Sequence, residues 1–236
     1  MTSRERVLAA LAHRPVDMVP VDFGGHRSSG IMAIGYAKLI RALGLKSRPI
    51  RVYDLIQQLA VVDDDVLDRF GVDVVEMGRG FSRSDSNWKE WVLPDGTPCL
   101  MPAWADVRQE GGDWWLFNAD GRKIGVQKKG SLYFEQVYWP YSDGIPDDLS
   151  RIGDAVASMQ WATPTPPDLG STSLAELERG AREFRASTDR AIIFLFGGNF
   201  YEMAQYLCGT ENLMVWMGTE PEKTHRLLDA LLELHL

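Results

Sequence analysis

The chain begins with the spacing of apolar positions that an amphipathic helix requires. Val7, Leu8 and Leu11 fall on one helical face. Thr2 followed by Glu5 matches a capping box, in which each side chain bonds to the other residue's backbone amide. Pro15 ends the pattern, because proline disfavours helical geometry in the residue before it. These positions predict a capped helix at the start of the chain.

Strand-like runs then alternate with helical stretches. Residues 19–24 predict a short strand that stops at paired glycines, and residues 31–43 predict a second helix. A third helical stretch ends at Gly71 and leads directly into a buried strand over residues 72–77. Residues 191–196 repeat that strand pattern. Helix, glycine and then a β-branched run is typical of α/β proteins with parallel sheets.

The stretch over residues 82–141 has a different pattern. Turn sequences at residues 94–96, 110–112 and 120–121 separate short aromatic and β-branched runs, which predicts antiparallel hairpins. Six of the eight tryptophans lie here. We interpret the stretch as an antiparallel β insertion in an α/β framework. Its aromatic side chains either fill the core of a thin sheet or form a substrate lid or a subunit contact.

Helical patterns return after residue 148 and continue to the end of the sequence, interrupted by a proline-rich linker at residues 163–167. The final helix ends at Leu236 with no C-terminal glycine and no following strand. Three runs in the whole sequence have the pattern of parallel strands. We therefore expect one incomplete α/β domain over residues 1–236, cut short at its C-terminal end.

Composition narrows the class of protein. The chain has 236 residues, 45% of them hydrophobic, and a net charge of −8, which argues against a nucleic-acid or anionic-membrane surface. No apolar run is long enough to cross a membrane, and no secretory signal precedes the first helix. Cys99 and Cys208 suit free thiols in a reducing compartment. We expect a cytoplasmic protein that binds a small molecule, with homo-oligomers left open.

Two segments carry a resemblance to a known family. The first runs from Arg4 to Gly25, and it resembles the start of methyltransferase-type members of the uroporphyrinogen decarboxylase superfamily. The second runs from Ile192 to Gly209 and continues into the closing helix, and it is similar to that superfamily's strand, glycine-rich turn and helix. The resemblance implies a (β/α)8 TIM barrel of the uroporphyrinogen decarboxylase and methionine synthase type, truncated at the C-terminus and carrying the antiparallel β insertion.

The resemblance also implies an enzyme. Members of the methyltransferase branch transfer a methyl group between a corrinoid, free or protein-bound, and a small molecule, and they bind zinc through a His-x-Cys pair and a later Cys. This sequence has no His/Cys pair at that spacing, so zinc would lie beyond Leu236 and both cofactors would belong to a full-length protein. A corrinoid protein is the partner implied.

Two alternatives stay open beside methyl transfer. The first is cofactor-free decarboxylation of uroporphyrinogen in porphyrin biosynthesis. The decarboxylases hold the substrate's carboxylates with an arginine-rich loop, whereas the matching loop, residues 24–27, has one arginine. The second alternative is a catalytically incomplete binding or assembly module.

Candidate site residues follow from the carboxyl ends of parallel strands, where α/β barrels place their functional groups. His26 is a candidate general acid, and Glu76 is a candidate base or ligand of a substrate cation. We predict no metal ligands in this chain. The candidate substrate-binding residues are Asp22, Phe23, Gly24, Gly25, Arg27, Gly197, Gly198, Asn199 and Tyr201.

Each candidate also has a purely structural alternative. Paired glycines permit a turn with positive φ. His26 suits an exposed loop, Glu76 suits a salt bridge with Arg79, and Asn199 suits the N-cap of a helix. The sequence leaves both interpretations of these residues open.

Overall fold

The computed structural model describes residues 1–77, 85–159, 174–194 and 199–236. The chain divides into two compact units. Unit 1 comprises Met1–Trp104 with Thr165–Leu195, and unit 2 comprises Ala105–Pro164 with Phe196–Leu236. Neither unit is continuous in sequence, so each is closed by contacts between distant segments.

The helices of the described residues are divided equally between the two units. They are α1 (Ser3–Leu11), α2 (Ala33–Ala42), α3 (Asp64–Arg69), α4 (Ile152–Met159), α5 (Leu174–Ala186), α6 (Phe200–Cys208), α7 (Thr210–Thr219) and α8 (Pro221–His235). Helices α1, α2, α3 and α5 belong to unit 1, and the other four to unit 2. Among these described helices, none is both long enough and apolar enough to cross a bilayer.

The strands are short. They are β1 (Ile50–Asp54), β2 (Leu59–Ala60), β3 (Val74–Glu76), β4 (Trp88–Val92), β5 (Pro98–Pro102), β6 (Asp106–Glu110), β7 (Asp113–Phe117), β8 (Lys123–Gln127), β9 (Glu135–Gln136) and β10 (Ala191–Ile193). In unit 1 they form a four-stranded sheet of order β2-β1-β5-β4 and a parallel pair, β10-β3. In unit 2 they form a four-stranded antiparallel sheet of order β6-β7-β8-β9.

The expected (β/α)8 TIM barrel is wrong. The described residues form three small, mostly antiparallel sheets, and they contain no eight-stranded parallel barrel. Among the described strands, parallel pairing is confined to β1 with β5 and β3 with β10. The error has a physical cause, because hydrophobic periodicity indicates the type of an element and says little about which distant strand it pairs with.

The strand expected at residues 19–24 does not form. Val19 is 78% exposed, Pro20 has no N–H to donate, and Gly24 turns the chain with a φ of +80°. Val21 is bonded to the residue that precedes β3, since its carbonyl accepts from the Asp73 amide at 2.8 Å. The strands expected at residues 72–77 and 191–196 are present as β3 and β10, and residues 195 and 196 lie outside the described part of the chain.

Local sequence signals are confirmed where they depend on neighbouring residues. Thr2 Oγ1 accepts from the Glu5 amide, and the Thr2 amide donates to Glu5 Oε2 at 2.8 Å, which completes the capping box of α1. Gly71 follows α3 with a φ of +61°. Gly96 and Gly121 also have positive φ, and they lie in the turns of the β4–β5 and β7–β8 hairpins.

An ion-pair network centred on the buried side chains of Arg6 and Asp73 fixes the segment that leads to the first loop of unit 1. The guanidinium of Arg6 donates to Asp17 at 2.7 Å and to Asp73, and Asp73 Oδ2 accepts from the Val21 amide at 2.9 Å. Hydrogen bonding to Arg6 holds the pKa of the Asp17 carboxyl well below its usual range. The network therefore holds residues 17–21 against the start of β3.

Unit 2 is held by apolar helix packing beside its sheet. Leu207 of α6, Leu213 of α7 and Leu227 of α8 have no exposed surface. The side-chain amide of Gln136 in β9 donates to the Tyr206 carbonyl of α6 at 2.8 Å. This bond joins the last strand of the sheet to the helical layer.

Candidate functional site

The first loop of unit 1, residues 22–27, takes its shape from its two glycines. Asp22 Oδ1 accepts from the Gly25 amide at 2.8 Å. A Cβ added to Gly24 would lie 2.8 Å from Val62 Cγ2, and one added to Gly25 would lie 2.5 Å from Asp22 Oδ1. The protein itself fills the space beside both glycines. They are required by packing, and they leave no gap there for the edge of a ligand.

His26 lies at the turn that follows the glycines. Its Nδ1 accepts from the Ser28 amide at 3.0 Å, and its own amide donates to Ser29 Oγ at 3.2 Å. Because Nδ1 is an acceptor, the proton of the neutral ring lies on Nε2. The half-buried imidazole therefore presents Nε2 as a hydrogen-bond donor.

Arg27 approaches a buried carboxylate at the end of β1. A nitrogen of its guanidinium lies 3.9 Å from Asp54 Oδ2. Asp54 is 2% exposed, and it accepts from the Gln57 amide at 2.9 Å and from Gln57 Nε2 at 3.2 Å. Since backbone and side-chain bonds fix the carboxylate, it provides a fixed counter-charge for Arg27.

Tyr53 is the residue on which several charged groups act together. Burial raises the pKa of its hydroxyl strongly, and the carboxylates of Asp54, Glu76 and Asp22 raise it further, while the Arg27 guanidinium lowers it. We call these five residues the Tyr53 cluster. They come from the loop at residues 22–27, the end of β1 and the end of β3.

Sequence reasoning missed Tyr53 and Asp54, because β1 was not predicted as a strand. A pattern was present: Ile50, Val52 and Asp54 are buried, and the two residues between them are partly exposed. That alternation is typical of a half-buried strand. Of the predicted site residues, Asp22, Arg27 and Glu76 belong to the cluster, and His26 adjoins it in sequence.

Other predicted residues lie elsewhere. The ring of Phe23 packs edge-on against Phe70, with centroids 5.7 Å apart. Asn199 and Tyr201 belong to unit 2, where Asn199 Nδ2 donates to Glu202 Oε2 at 2.8 Å and Tyr201 is exposed on α6. Gly197 and Gly198 lie outside the described residues.

A zinc site does not fit the described part of the chain. The described residues contain no group of three or more His, Cys, Asp or Glu side chains that could hold a metal ion. Cys99 and Cys208 are free and buried, and burial raises the pKa of each thiol to about 12. A thiol that keeps its proton is a poor zinc ligand, because zinc binds the thiolate.

No protein-family model matches this chain, and neither the curated proteins nor the solved structures contain a significantly similar one. The resemblance of its two segments to the uroporphyrinogen decarboxylase superfamily therefore stays a hypothesis. The chemistry of the Tyr53 cluster is the independent ground for a functional proposal.

Proposed function

We propose that this chain is an enzyme that acts on a small polar molecule bound at the Tyr53 cluster. The observation that carries the proposal is the approach of the Arg27 guanidinium to within 3.9 Å of the buried Asp54 carboxylate, next to Tyr53, whose pKa is raised first by burial and then by nearby carboxylates. Strongly perturbed pKa values that arise from burial together with specific charge partners are typical of functional sites.

The groups of the cluster have complementary chemical roles. Tyr53 keeps its proton at neutral pH, so its hydroxyl donates a hydrogen bond to the bound molecule. The carboxylates of Asp22 and Glu76 accept hydrogen bonds or take a proton from it. Nε2 of His26 is a further donor beside the loop. Together these groups position a polar molecule and transfer protons.

Methyl transfer to or from that molecule is the reaction we propose, on the strength of the two resembling segments. The described residues fit neither zinc, for the reasons given, nor a corrin edge at Gly24 and Gly25, where protein atoms fill the space. We therefore propose that a separate corrinoid protein carries the methyl group and that this chain holds the small molecule.

Porphyrinogen decarboxylation is the less favoured activity. The strongest charge effects on Tyr53 come from three carboxylates and one guanidinium. A substrate bearing acetate and propionate groups needs several cations in fixed positions. The charges of the cluster are of the wrong sign for such a substrate.

The setting that we propose is a reducing one. Both cysteines are free thiols, which supports a cytoplasmic location. The acidic net charge of −8 supports small-molecule and protein partners over nucleic acid.

Binding is tested by ligand-observed NMR on the whole chain with a panel of small amines, alcohols, thiols and carboxylic acids. We expect Tyr53→Phe to weaken the bound members about tenfold, because the donated hydrogen bond is lost. Tyr133→Phe is the control, since that side chain is exposed in a loop of unit 2. Equal binding by the wild type and Tyr53→Phe would contradict the site.

Catalysis is tested separately on the panel members that bind, with methylcobalamin as the substitute for the methylated corrinoid protein. We expect consumption of methylcobalamin, and we expect Glu76→Gln to slow it by about tenfold or more, because a carboxylate that accepts a proton is removed. Glu135→Gln, on the exposed β9 strand, is the control. Intact binding without methyl transfer would contradict the proposed reaction, and the proposed binding site would stand.

A further inference from the structure

An apolar groove lies between α1 and α5 in unit 1, and we call it the α1–α5 groove. Its volume is about 550 Å³, and β10 contributes to its floor. Leu8, Leu11 and Phe194 are the large apolar side chains in its lining, and their exposed fractions are 54%, 73% and 66%. Exposed side chains of this size, gathered on one surface, are typical of an interaction site.

The rim of the groove is cationic on a chain that is acidic as a whole. Arg4, Arg182 and Arg185 line it, together with Glu178. Arg182 pairs with Glu178 at 2.6 Å, and the Arg4 guanidinium donates to the Thr188 carbonyl at 2.6 Å. The Arg185 guanidinium makes no ion pair within the described part of the chain. The groove therefore suits an apolar partner that carries negative charge.

Helix α7 of unit 2 presents a surface of that kind. Glu211, Met214, Val215 and Gly218 follow one another at helical spacing and share one face. Met214 is 62% and Val215 58% exposed, and a Cβ added to Gly218 would meet no atom within 4 Å. Glu211 is exposed, and it forms no ion pair with any residue that the structure describes. This face combines apolar anchors, a close-approach point and a carboxylate.

We propose that α7 of one molecule occupies the α1–α5 groove of a second molecule. Met214 and Val215 pack against Leu8 and Leu11, and Glu211 faces Arg185. The mode is that of an amphipathic helix in an apolar groove, with anchors at helical spacing. Complementary charge at the rim sets the orientation of the helix.

The contact is heterologous, because the groove and the α7 face are different surfaces. Each molecule offers one of each, so molecules associate head to tail. A single molecule with only one surface intact can still engage one neighbour. This property separates the proposal from a symmetric dimer, in which one substitution damages both halves of the interface.

The test is sedimentation velocity on the full chain over a range of concentrations. Wild-type protein is expected to associate increasingly with concentration. Leu11→Glu in the groove and Met214→Lys on α7 are each expected to give monomers, and an equimolar mixture of the two is expected to give dimers and nothing larger. Leu132→Lys, at an exposed loop position of unit 2, is the matched control and is expected to associate like the wild type.

A charge exchange tests the orientation with milder changes. Arg185→Glu and Glu211→Arg are each expected to weaken association about tenfold, and the chain carrying both is expected to recover it. Circular dichroism of every variant establishes that it is folded. A monomeric wild type, association that survives both single apolar substitutions, or a mixture that stays monomeric overturns the proposal.

Discussion

Each unit buries a polar side chain almost completely, and the two side chains differ in their hydrogen bonding. Asp73 in unit 1 has no exposed surface, and its two oxygens accept from Arg6 and from the Val21 amide. Gln127 in unit 2 is 1% exposed, and neither end of its amide has a hydrogen-bond partner in the described structure. The Asp73 carboxylate links separate segments of unit 1. The Gln127 amide loses its hydrogen bonds to water on burial and gains none in return, which destabilises the fold.

The difference follows from how the strands of each unit are connected. The parallel pair β3–β10 of unit 1 joins segments far apart in sequence, and the Asp73 side chain, just before β3, adds bonds to Arg6 and to the Val21 amide in the N-terminal segment. The sheet of unit 2 contains the β6–β7 and β7–β8 hairpins, which the backbone holds through local turns. The buried carboxylate of Asp73 therefore joins separate segments of unit 1, whereas the buried amide of Gln127 joins none that the structure describes.

The largest effect is expected for Asp73→Ala. Removing the buried carboxylate leaves Arg6 with Asp17 as its remaining carboxylate partner and leaves the Val21 amide without its acceptor, so the free energy of unfolding falls by about 3 kcal/mol. Urea unfolding followed by circular dichroism measures the loss. Hydrogen exchange is expected to show lost protection in β3 while the amides of β7 stay protected.

Asp85→Ala is the control for this loss. Asp85 is 96% exposed, and it pairs with Arg51 at 3.4 Å on the surface, so its removal is expected to cost less than about 1 kcal/mol. Equal losses in Asp73→Ala and Asp85→Ala would show that the buried network has no special part in unit 1.

An effect of opposite sign is expected in unit 2 for Gln127→Met. The substitution replaces an unpartnered buried amide with an apolar side chain of similar length, which is expected to raise the free energy of unfolding by about 1–2 kcal/mol. Gln109→Met, at an exposed position of the same sheet, is expected to change it little. A loss of stability in Gln127→Met would show that the amide has a bonded role.

A pH dependence above neutral pH is expected in both units, through one buried thiol each. Cys99 lies in unit 1 and Cys208 in unit 2, and the pKa of each is raised to about 12. An unfolded thiol ionises near its ordinary pKa of about 8.5, whereas the folded one keeps its proton. Stability therefore falls as the pH rises above about 8.5 and continues to fall until the folded thiols ionise.

Thermal melts between about pH 8 and pH 10 measure this slope. Cys99→Ala and Cys208→Ala are each expected to remove roughly half of it. A slope that is unchanged in the double variant would contradict the assignment to the thiols. An unequal division between the single variants would show which unit excludes water better from its thiol.

The sequence predicted the features that neighbouring residues determine. The capping box of Thr2 and Glu5, the cap at Gly71 and the turns at Gly96 and Gly121 are all present. Each depends on a few consecutive residues with well-defined backbone geometry.

Pairing between distant strands could not be predicted from consecutive residues in the same way. Nothing local to β1 indicates that it pairs with β5 on one side and β2 on the other, and the barrel was wrong for that reason. Of the predicted site residues, Asp22, Arg27 and Glu76 fall in the Tyr53 cluster, and they were predicted from the strand-like runs over residues 19–24 and 72–77. Tyr53 and Asp54 were missed, because the charged Asp54 occupies a buried position of β1, where an apolar pattern requires an apolar residue.

The parallel pair of unit 1 also determines the order in which the chain can fold as it is synthesised. Arg190 bonds to the Val72 carbonyl at 2.9 Å although the two residues are 118 positions apart. The hairpin of β4 and β5 needs only adjacent residues, so it can form on the ribosome well before β10 emerges. Until then, β3 has no neighbour across the edge that β10 later covers, and this edge is open to pairing with another chain.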